Sequence, residues 1–315
     1  MEYVKLIVGL LLLSGGAHFL VEGSKNLALK FNIRPIVVGL TVVAMATSFP
    51  ELLVSLTSAL KGSDGMAVGN IVGSNIANIA LVLAFAALIR PFKVEKQTLR
   101  IDFPILLLIS VLFWFFVSDK KLVWSEGLAL LIILLLYVFY CIKTSAHKSE
   151  FEGEKPHGSK LYNFLLVIGG SAVVIGGAYL LVAGGVEIAR EKNVSEAVIG
   201  LTVLAVGTSL PELAATVAAA IKNQNEIGMG NIIGSNIFNF ALVIGIVPVV
   251  LALKNGSALK FELVAMDIYV MLAVVFALFF FVLFSKKKMF GRIAGVIFLI
   301  AYCAYITFCF KPEIF

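Results

Sequence analysis

Charge is scarce in this sequence, and so are the residues that most often announce chemistry. Only 14% of residues are charged, with 3 histidines, 3 cysteines and 8 prolines, while 60% are hydrophobic and the mean hydropathy is +1.03. A soluble domain of 315 residues could not hide that much apolar surface, so soluble classes are excluded. No run alternates polar and apolar over ten-residue segments, which argues against a membrane β-barrel. Cys141, Cys303 and Cys309 lie in or beside apolar stretches without metal-like spacing and read as buried membrane cysteines. No EF-hand or large regulatory loop is present. The first apolar stretch has no convincing small-residue cleavage site and is expected to remain in the mature protein.

What is present is a series of apolar runs, several longer than the roughly 18 residues that mark a spanning helix. Ten spans are expected, at 3–29, 35–60, 66–89, 101–118, 123–143, 161–190, 196–221, 227–252, 262–284 and 290–310. The fold class is thus an all-α integral membrane protein embedded in the lipid bilayer. Five spans precede the polar stretch 144–160 and five follow it, giving a first unit 1–143, a linker 144–160 and a second unit 161–315. With the N-terminus outside, the cytoplasmic loops hold sixteen lysines and arginines against nine outside. That bias predicts a multi-pass cell-membrane protein with both termini outside and the 144–160 linker cytoplasmic. It also accounts for the net charge of +6 without nucleic acid.

The strongest signal is internal repetition. Residues 39–83 and 200–244 align without a gap at an offset of 161, identical at 23 of 45 positions. Gly15 and Gly16 match Gly176 and Gly177 at the same offset, so the repeat includes the first span. An odd number of spans per repeat makes the second enter the membrane from the opposite side, related to the first by a pseudo-two-fold axis in the membrane plane. Glu51 and Glu212 can then meet near the bilayer centre.

Polar residues cluster within each repeat. The first has Thr47, Ser48, Pro50 and Glu51, then Asn70, Ser74, Asn75 and Asn78; the second has Thr208, Ser209, Pro211 and Glu212, then Asn231, Ser235, Asn236 and Asn239. Ser74 and Asn78 share a helix face, as do Ser235 and Asn239. Pro50 and Pro211 lack an N–H and disturb the ladder behind them. The carbonyls of Ala44, Ala46 and Thr47, and of Ala205, Gly207 and Thr208, are candidates for release. Freed carbonyls at membrane depth need protein, water or an ion to satisfy them. Carboxylate, hydroxyl, amide and carbonyl oxygens together suit Na⁺ and Ca²⁺, and with no His or Cys in either motif zinc and copper do not fit.

A carboxylate at the bilayer centre costs at least about 2.5–3.5 kcal/mol. One could be a structural accident; two at matching positions beside matching prolines are read as functional. For Asn70, Asn75, Asn231 and Asn236, interhelical hydrogen bonding is an open alternative. Gly39, Gly69, Gly73, Gly200, Gly230 and Gly234 are read as close helix packing. His18 and Glu22, four apart, are expected to pair structurally, Asp102 and Asp267 to be interfacial, and Lys286, Lys287 and Lys288 to anchor the cytoplasmic side.

In ATSFPE with GNIVGSN, and again in GTSLPE with GNIIGSN, the chain resembles the cation/calcium antiporter superfamily, nearest its prokaryotic sodium/calcium exchanger branch. The resemblance implies ten helices as two inverted repeats of five, with spans two, three, seven and eight as a core across which spans one and six slide. It implies Ca²⁺ held by Glu51, Glu212 and the carbonyls of Thr47 and Thr208. One sodium would use Ala44, Thr47, Glu51 and Ser74, its mirror Ala205, Thr208, Glu212 and Ser235, with Ser48 and Ser209 supporting. Related exchangers carry Asp where this chain has Asn239, opposite Asn78. The family acts as a monomer in outline. The expected function is therefore Ca²⁺/Na⁺ antiport, with no cofactor and no enzymatic activity. An H⁺/Ca²⁺ exchanger is the nearest rival, and a cation channel or an Mg²⁺-dependent membrane enzyme is a more distant one. The enzyme would call for an Asp-rich motif or a basic phosphate clamp beside the glutamates, and neither accompanies them.

Overall fold

In the absence of water, a chain crossing a bilayer must satisfy its backbone internally, and these apolar runs do so as helices. The computed structural model describes residues 2–144, 156–192, 205–260 and 265–310. In chain order the helices are α1 (Glu2–Phe31), α2 (Pro35–Thr47), α3 (Phe49–Leu60), α4 (Asp64–Ile89), α5 (Thr98–Asp119) and α6 (Trp124–Thr144). There follow α7 (Lys160–Glu191), α8 (Ala205–Thr208), α9 (Leu210–Ile221), α10 (Asn225–Lys254), α11 (Ala265–Phe284) and α12 (Arg292–Phe310). Among the described residues eight helices are long and apolar enough to cross a membrane, and α2 with α3, bent by 40°, makes a ninth span. The first part of the expected span 196–221 lies outside the described residues.

Burial sorts these helices. The apolar windows of α4 and α10 are 78% and 67% buried, against 22–39% for α1, α5, α6, α7, α11 and α12. Two helices therefore run through the centre, and the rest turn one face outward with exposed side chains such as Leu135, Phe139 and Phe284. Cys303 is among the exposed residues, so the expectation of burial holds for Cys141 but not for Cys303.

The longest contact is between α1 and α7. Gly9 lies against Gly177 and Gly16 against Gly170, so the two helices run antiparallel. A Cβ at either Gly16 or Gly177 would fall 2.7–2.9 Å from backbone atoms of the other helix. Only glycine permits this approach, the small-residue packing that drives association in lipid.

Two short antiparallel ribbons tie the loops. β1 (Phe92–Lys93) pairs with β4 (Met289–Phe290), and β2 (Lys121–Leu122) with β3 (Leu259–Lys260). Each buries one apolar pair, Phe92 with Phe290 and Leu122 with Leu259, all at 0% exposure. β1 precedes α5 and β2 follows it; its 22 residues span about 33 Å, so the ribbons sit at opposite ends of the molecule.

Asp102 lies near the start of α5, as expected, and is enclosed by protein. It is buried and accepts a hydrogen bond from Tyr137 at 2.9 Å, joining α5 to α6. Asp267 accepts from Tyr305 at 2.8 Å, joining α11 to α12 in the same way. The tyrosine that receives each aspartate lies on the next helix, so neither bond was legible in the sequence. Glu22 likewise bonds Lys222 (2.9 Å) and Asn26 (3.2 Å), while His18 packs edge-on against Phe19, so the expected His18–Glu22 pair does not form.

A candidate cation site between the repeated motifs

Both Thr-Ser-x-Pro-Glu motifs interrupt a helix at the same point. Ser48 (φ −81°, ψ 2°) separates α2 from α3, and Ser209 (φ −88°, ψ 4°) separates α8 from α9. Proline at the start of α3 and of α9 needs no N–H there, and the turn before it is thereby ended. Glu51 and Glu212 stand in the first turns of α3 and α9, where unpaired amides favour negative charge.

The freed carbonyls differ in part from expectation. Ser48 N–H bonds the Ala44 carbonyl at 3.0 Å and Thr47 Oγ1 approaches it at 3.3 Å, so that oxygen is already engaged. In the second motif Ser209 N–H bonds the Val206 carbonyl at 3.1 Å. Pro50 and Pro211 have no N–H for the carbonyls of Ala46 and Gly207 four residues earlier.

The side chains converge. Glu51, Glu212, Asn78, Asn239, Ser235 and Ala44 are at 0% exposure, and Thr47, Ser48, Ser74 and Ser209 at 1%. Thr208 is half-buried, and Ala205 opens α8. Thr47 Oγ1 and Ser235 Oγ are 3.2 Å apart, Ser48 Oγ donates to Glu212 Oε1 at 3.4 Å, and Asn239 Nδ2 donates to Ser74 Oγ at 3.2 Å. Each of these bonds crosses from one repeat to the other. The Ser48–Glu212 bond brings the first turns of α3 and α9 together, and with them the two glutamates.

Several oxygens in this cluster are buried without a hydrogen-bond partner among the described residues: both of Glu51, Oε2 of Glu212, Oδ1 of Asn78 and Asn239, and Oγ of Ser209. Leaving so many polar atoms unmet is costly in a protein interior. A cation is the ligand such oxygens suit. They are hard donors of the kind that Na⁺ and Ca²⁺ take.

Two features escaped the sequence reading. Asn78 and Asn239 each open a π-helical turn, Asn78–Leu83 and Asn239–Val243, a wider turn often found at functional sites. Ser55 and Thr216 accept hydrogen bonds from Asn70 (2.9 Å) and Asn231 (3.0 Å). They are not identical, so the repeat comparison passed over them; the retained hydroxyl was the signal. Asn75 and Asn236 bond back to their own helices at Ile71 and Ile232 rather than across to a neighbour. Gly39, Gly230 and Gly234 pack as expected, with a Cβ at each falling 2.6 Å from a neighbouring backbone oxygen. Gly69 and Gly73 have nothing within 4 Å, so close packing does not explain them, and Gly200 lies outside the described residues.

A helical membrane protein with paired, buried carboxylates among hydroxyl and amide oxygens is built to take up a cation. The family model described as sodium/calcium exchanger protein matches residues 2–143 and 162–311, and the chain belongs to that family. Sodium/calcium exchanger MaX1 of Methanosarcina acetivorans is 30% identical over 360 residues, covering 98% of each chain. Membrane protein MJ0091 of Methanocaldococcus jannaschii is 35% identical over 301 residues, covering 96% of this chain and 95% of that one. A solved structure of the sodium-calcium exchanger NCX_Mj superposes with a TM-score of 0.84 at 33% identity, covering 97% of both chains. These relatives named as exchangers are transporters, not enzymes.

Proposed function

We propose that the protein exchanges Ca²⁺ for Na⁺ across the membrane by alternating access, and that Ca²⁺ extrusion is its direction under an inward sodium gradient. The observation that carries this is the pair of fully buried glutamates, three of whose four carboxyl oxygens have no hydrogen-bond partner among the described residues. With both ionised, the centre carries −2, which one Ca²⁺ or two Na⁺ neutralises. Competition for the same carboxylates keeps the two ions from binding together. The empty, doubly charged site is costly to carry through low dielectric, which couples the two fluxes.

In this reading Ca²⁺ takes Glu51, Glu212 and the carbonyls of Thr47 and Thr208. Sodium takes Ala44, Thr47, Glu51 and Ser74, and at the mirror site Ala205, Thr208, Glu212 and Ser235. Ser48, Ser209, Asn78 and Asn239 line the same centre. All of these belong to one chain, so the monomer is the working unit.

The site is shared between two inverted units, 1–143 and 161–315, of five spans each. Support comes from the antiparallel packing of α1 and α7, whose glycines match at the 161 offset, and from the ribbons. β1 and β3 hold corresponding places in the two units, yet β1 pairs with β4 and β2 with β3 at opposite ends. A two-fold axis in the membrane plane produces that exchange. The charge bias puts the β1–β4 end in the cytoplasm and both termini outside.

The test is ⁴⁵Ca²⁺ uptake into proteoliposomes loaded with Na⁺, beside Glu51→Gln, Glu212→Gln and a proton gradient without sodium. Sodium-driven uptake lost in both variants is expected. Uptake driven only by protons would move the protein to H⁺/Ca²⁺ exchange, and none from folded protein would end the calcium assignment.

A further inference from the structure

Asn70 and Asn231 match at the repeat offset, and each makes the same set of contacts in its own half. Asn70 Nδ2 donates to Ser55 Oγ at 2.9 Å and to the Glu51 carbonyl at 3.3 Å. Asn231 Nδ2 donates to Thr216 Oγ1 at 3.0 Å and to the Glu212 carbonyl at 3.5 Å. The remaining amide oxygen then reaches into the other half. Thr208 Oγ1 donates to Asn70 Oδ1 and Thr47 Oγ1 to Asn231 Oδ1, both at 3.2 Å.

The orientation of each amide follows from its partners. A backbone carbonyl can only accept, so the atom facing Glu51 or Glu212 must be the nitrogen. Oδ1 is then turned to the threonine hydroxyl, which donates to it; Thr47 Oγ1 also lies 3.3 Å from the Ala44 carbonyl and 3.2 Å from Ser235 Oγ. A hydroxyl has one proton and two lone pairs. Committing the proton to asparagine makes each threonine oxygen an acceptor toward its other partners, Ser235 Oγ among those of Thr47. A cation is repelled by a hydroxyl proton and bound by these lone pairs.

We propose that Asn70 and Asn231 are positioning residues: each fixes the backbone of its own glutamate and draws the hydroxyl proton of the opposite threonine out of the cation site. Neither is itself an ion ligand, since its amide hydrogens and oxygen are all engaged. The two contact sets cross, so each half of the site is set by an asparagine of the other. Ser55 and Thr216 act one step further out by holding the asparagine amides. The inference rests on the cation-site reading above, and adds to it residues that the resemblance does not assign.

The test is a double-mutant comparison read by Ca²⁺-induced thermal stabilisation of purified protein and by half-saturating Ca²⁺ for uptake. Asn70→Ala should weaken half-saturation roughly fivefold to tenfold, the range expected for a lost hydrogen bond to a buried partner, with maximal rate changed less. Adding Asn70→Ala to Thr208→Val should cost clearly less than the product of the two, since only the contacts to the Glu51 carbonyl and Ser55 are still lost, whereas adding it to Thr47→Val should multiply the two effects. The converse is expected for Asn231→Ala, with Thr47 as its coupled partner. Coupling to the threonine of the same half, or loss of folded protein without change in half-saturation, would overturn the proposal. Should the alanine variants not fold, Ser55→Ala and Thr216→Val carry the test, with a shift of about twofold to threefold expected in the same direction and an unchanged half-saturation counting against it. Failure of wild-type uptake would count against exchange, while the thermal readout still decides the positioning role.

Discussion

At the scale of single residues the informative departure is Asn239. Its Nδ2 donates to Ser74 Oγ at 3.2 Å, and its Oδ1 is buried without a partner among the described residues. An aspartate there would place a third carboxylate beside Glu51 and Glu212, and like charges disfavour ionisation. Protonated, that aspartate is nearly isosteric with asparagine and neutral. Asn239→Asp is therefore expected to behave like wild type at low pH and to depart from it as pH rises. The measurement is a pH series of sodium-driven ⁴⁵Ca²⁺ uptake for both proteins. A variant that tracks wild type at every pH would show that residue 239 does not feel the site. Asparagine at this position keeps the centre at two charges, which matches one divalent ion.

At the scale of elements, the helix pair α1–α7 and the broken helices have separate origins. The pair depends on glycine. Gly16 has backbone of α7 at 2.8 Å from where a Cβ would sit, whereas Gly15 has nothing within 4 Å. Gly16→Ala must push the helices apart and is expected to lower the thermal midpoint by several degrees, corresponding to about 1–3 kcal/mol of overpacking. Gly15→Ala, on the same helix, is expected to leave it unchanged, and equal melting of the two variants in detergent would refute the packing argument. The broken helices depend on proline and on the conformation of Ser48 and Ser209. Those breaks were legible in the motif, because proline four residues on removes a known donor. The π turns at Asn78 and Asn239 were not legible, because no local residue demands a wider turn; the packing of α4 and α10 decides it.

For the whole molecule the question is which end faces the cytoplasm and whether the units are inverted. Lys120 lies next to the β2–β3 ribbon and Lys287 next to the β1–β4 ribbon, at opposite ends of α5. Single cysteines at these positions in a background without Cys141, Cys303 and Cys309 report both points. In intact cells an impermeant thiol reagent should label Lys120→Cys and spare Lys287→Cys. The reverse pattern would turn the protein over, and labelling of both from one side would contradict the two-fold arrangement.

The sequence by itself determined the membrane class, the duplication and which buried polar residues are candidates for a cation centre. Each follows from a strong local or periodic signal: apolar length, a fixed 161-residue offset, and carboxylates too costly to place in a bilayer without a use. Tertiary structure alone decided the partners. Glu22 meets Lys222 rather than His18, Asp102 is buried against Tyr137 of the next helix, and Thr47 and Thr208 donate to asparagines of the opposite repeat. Those pairings span 35 to 200 residues, and no pattern of neighbours along the chain encodes them. They arise only when packed helices bring donors and acceptors together where water cannot serve either.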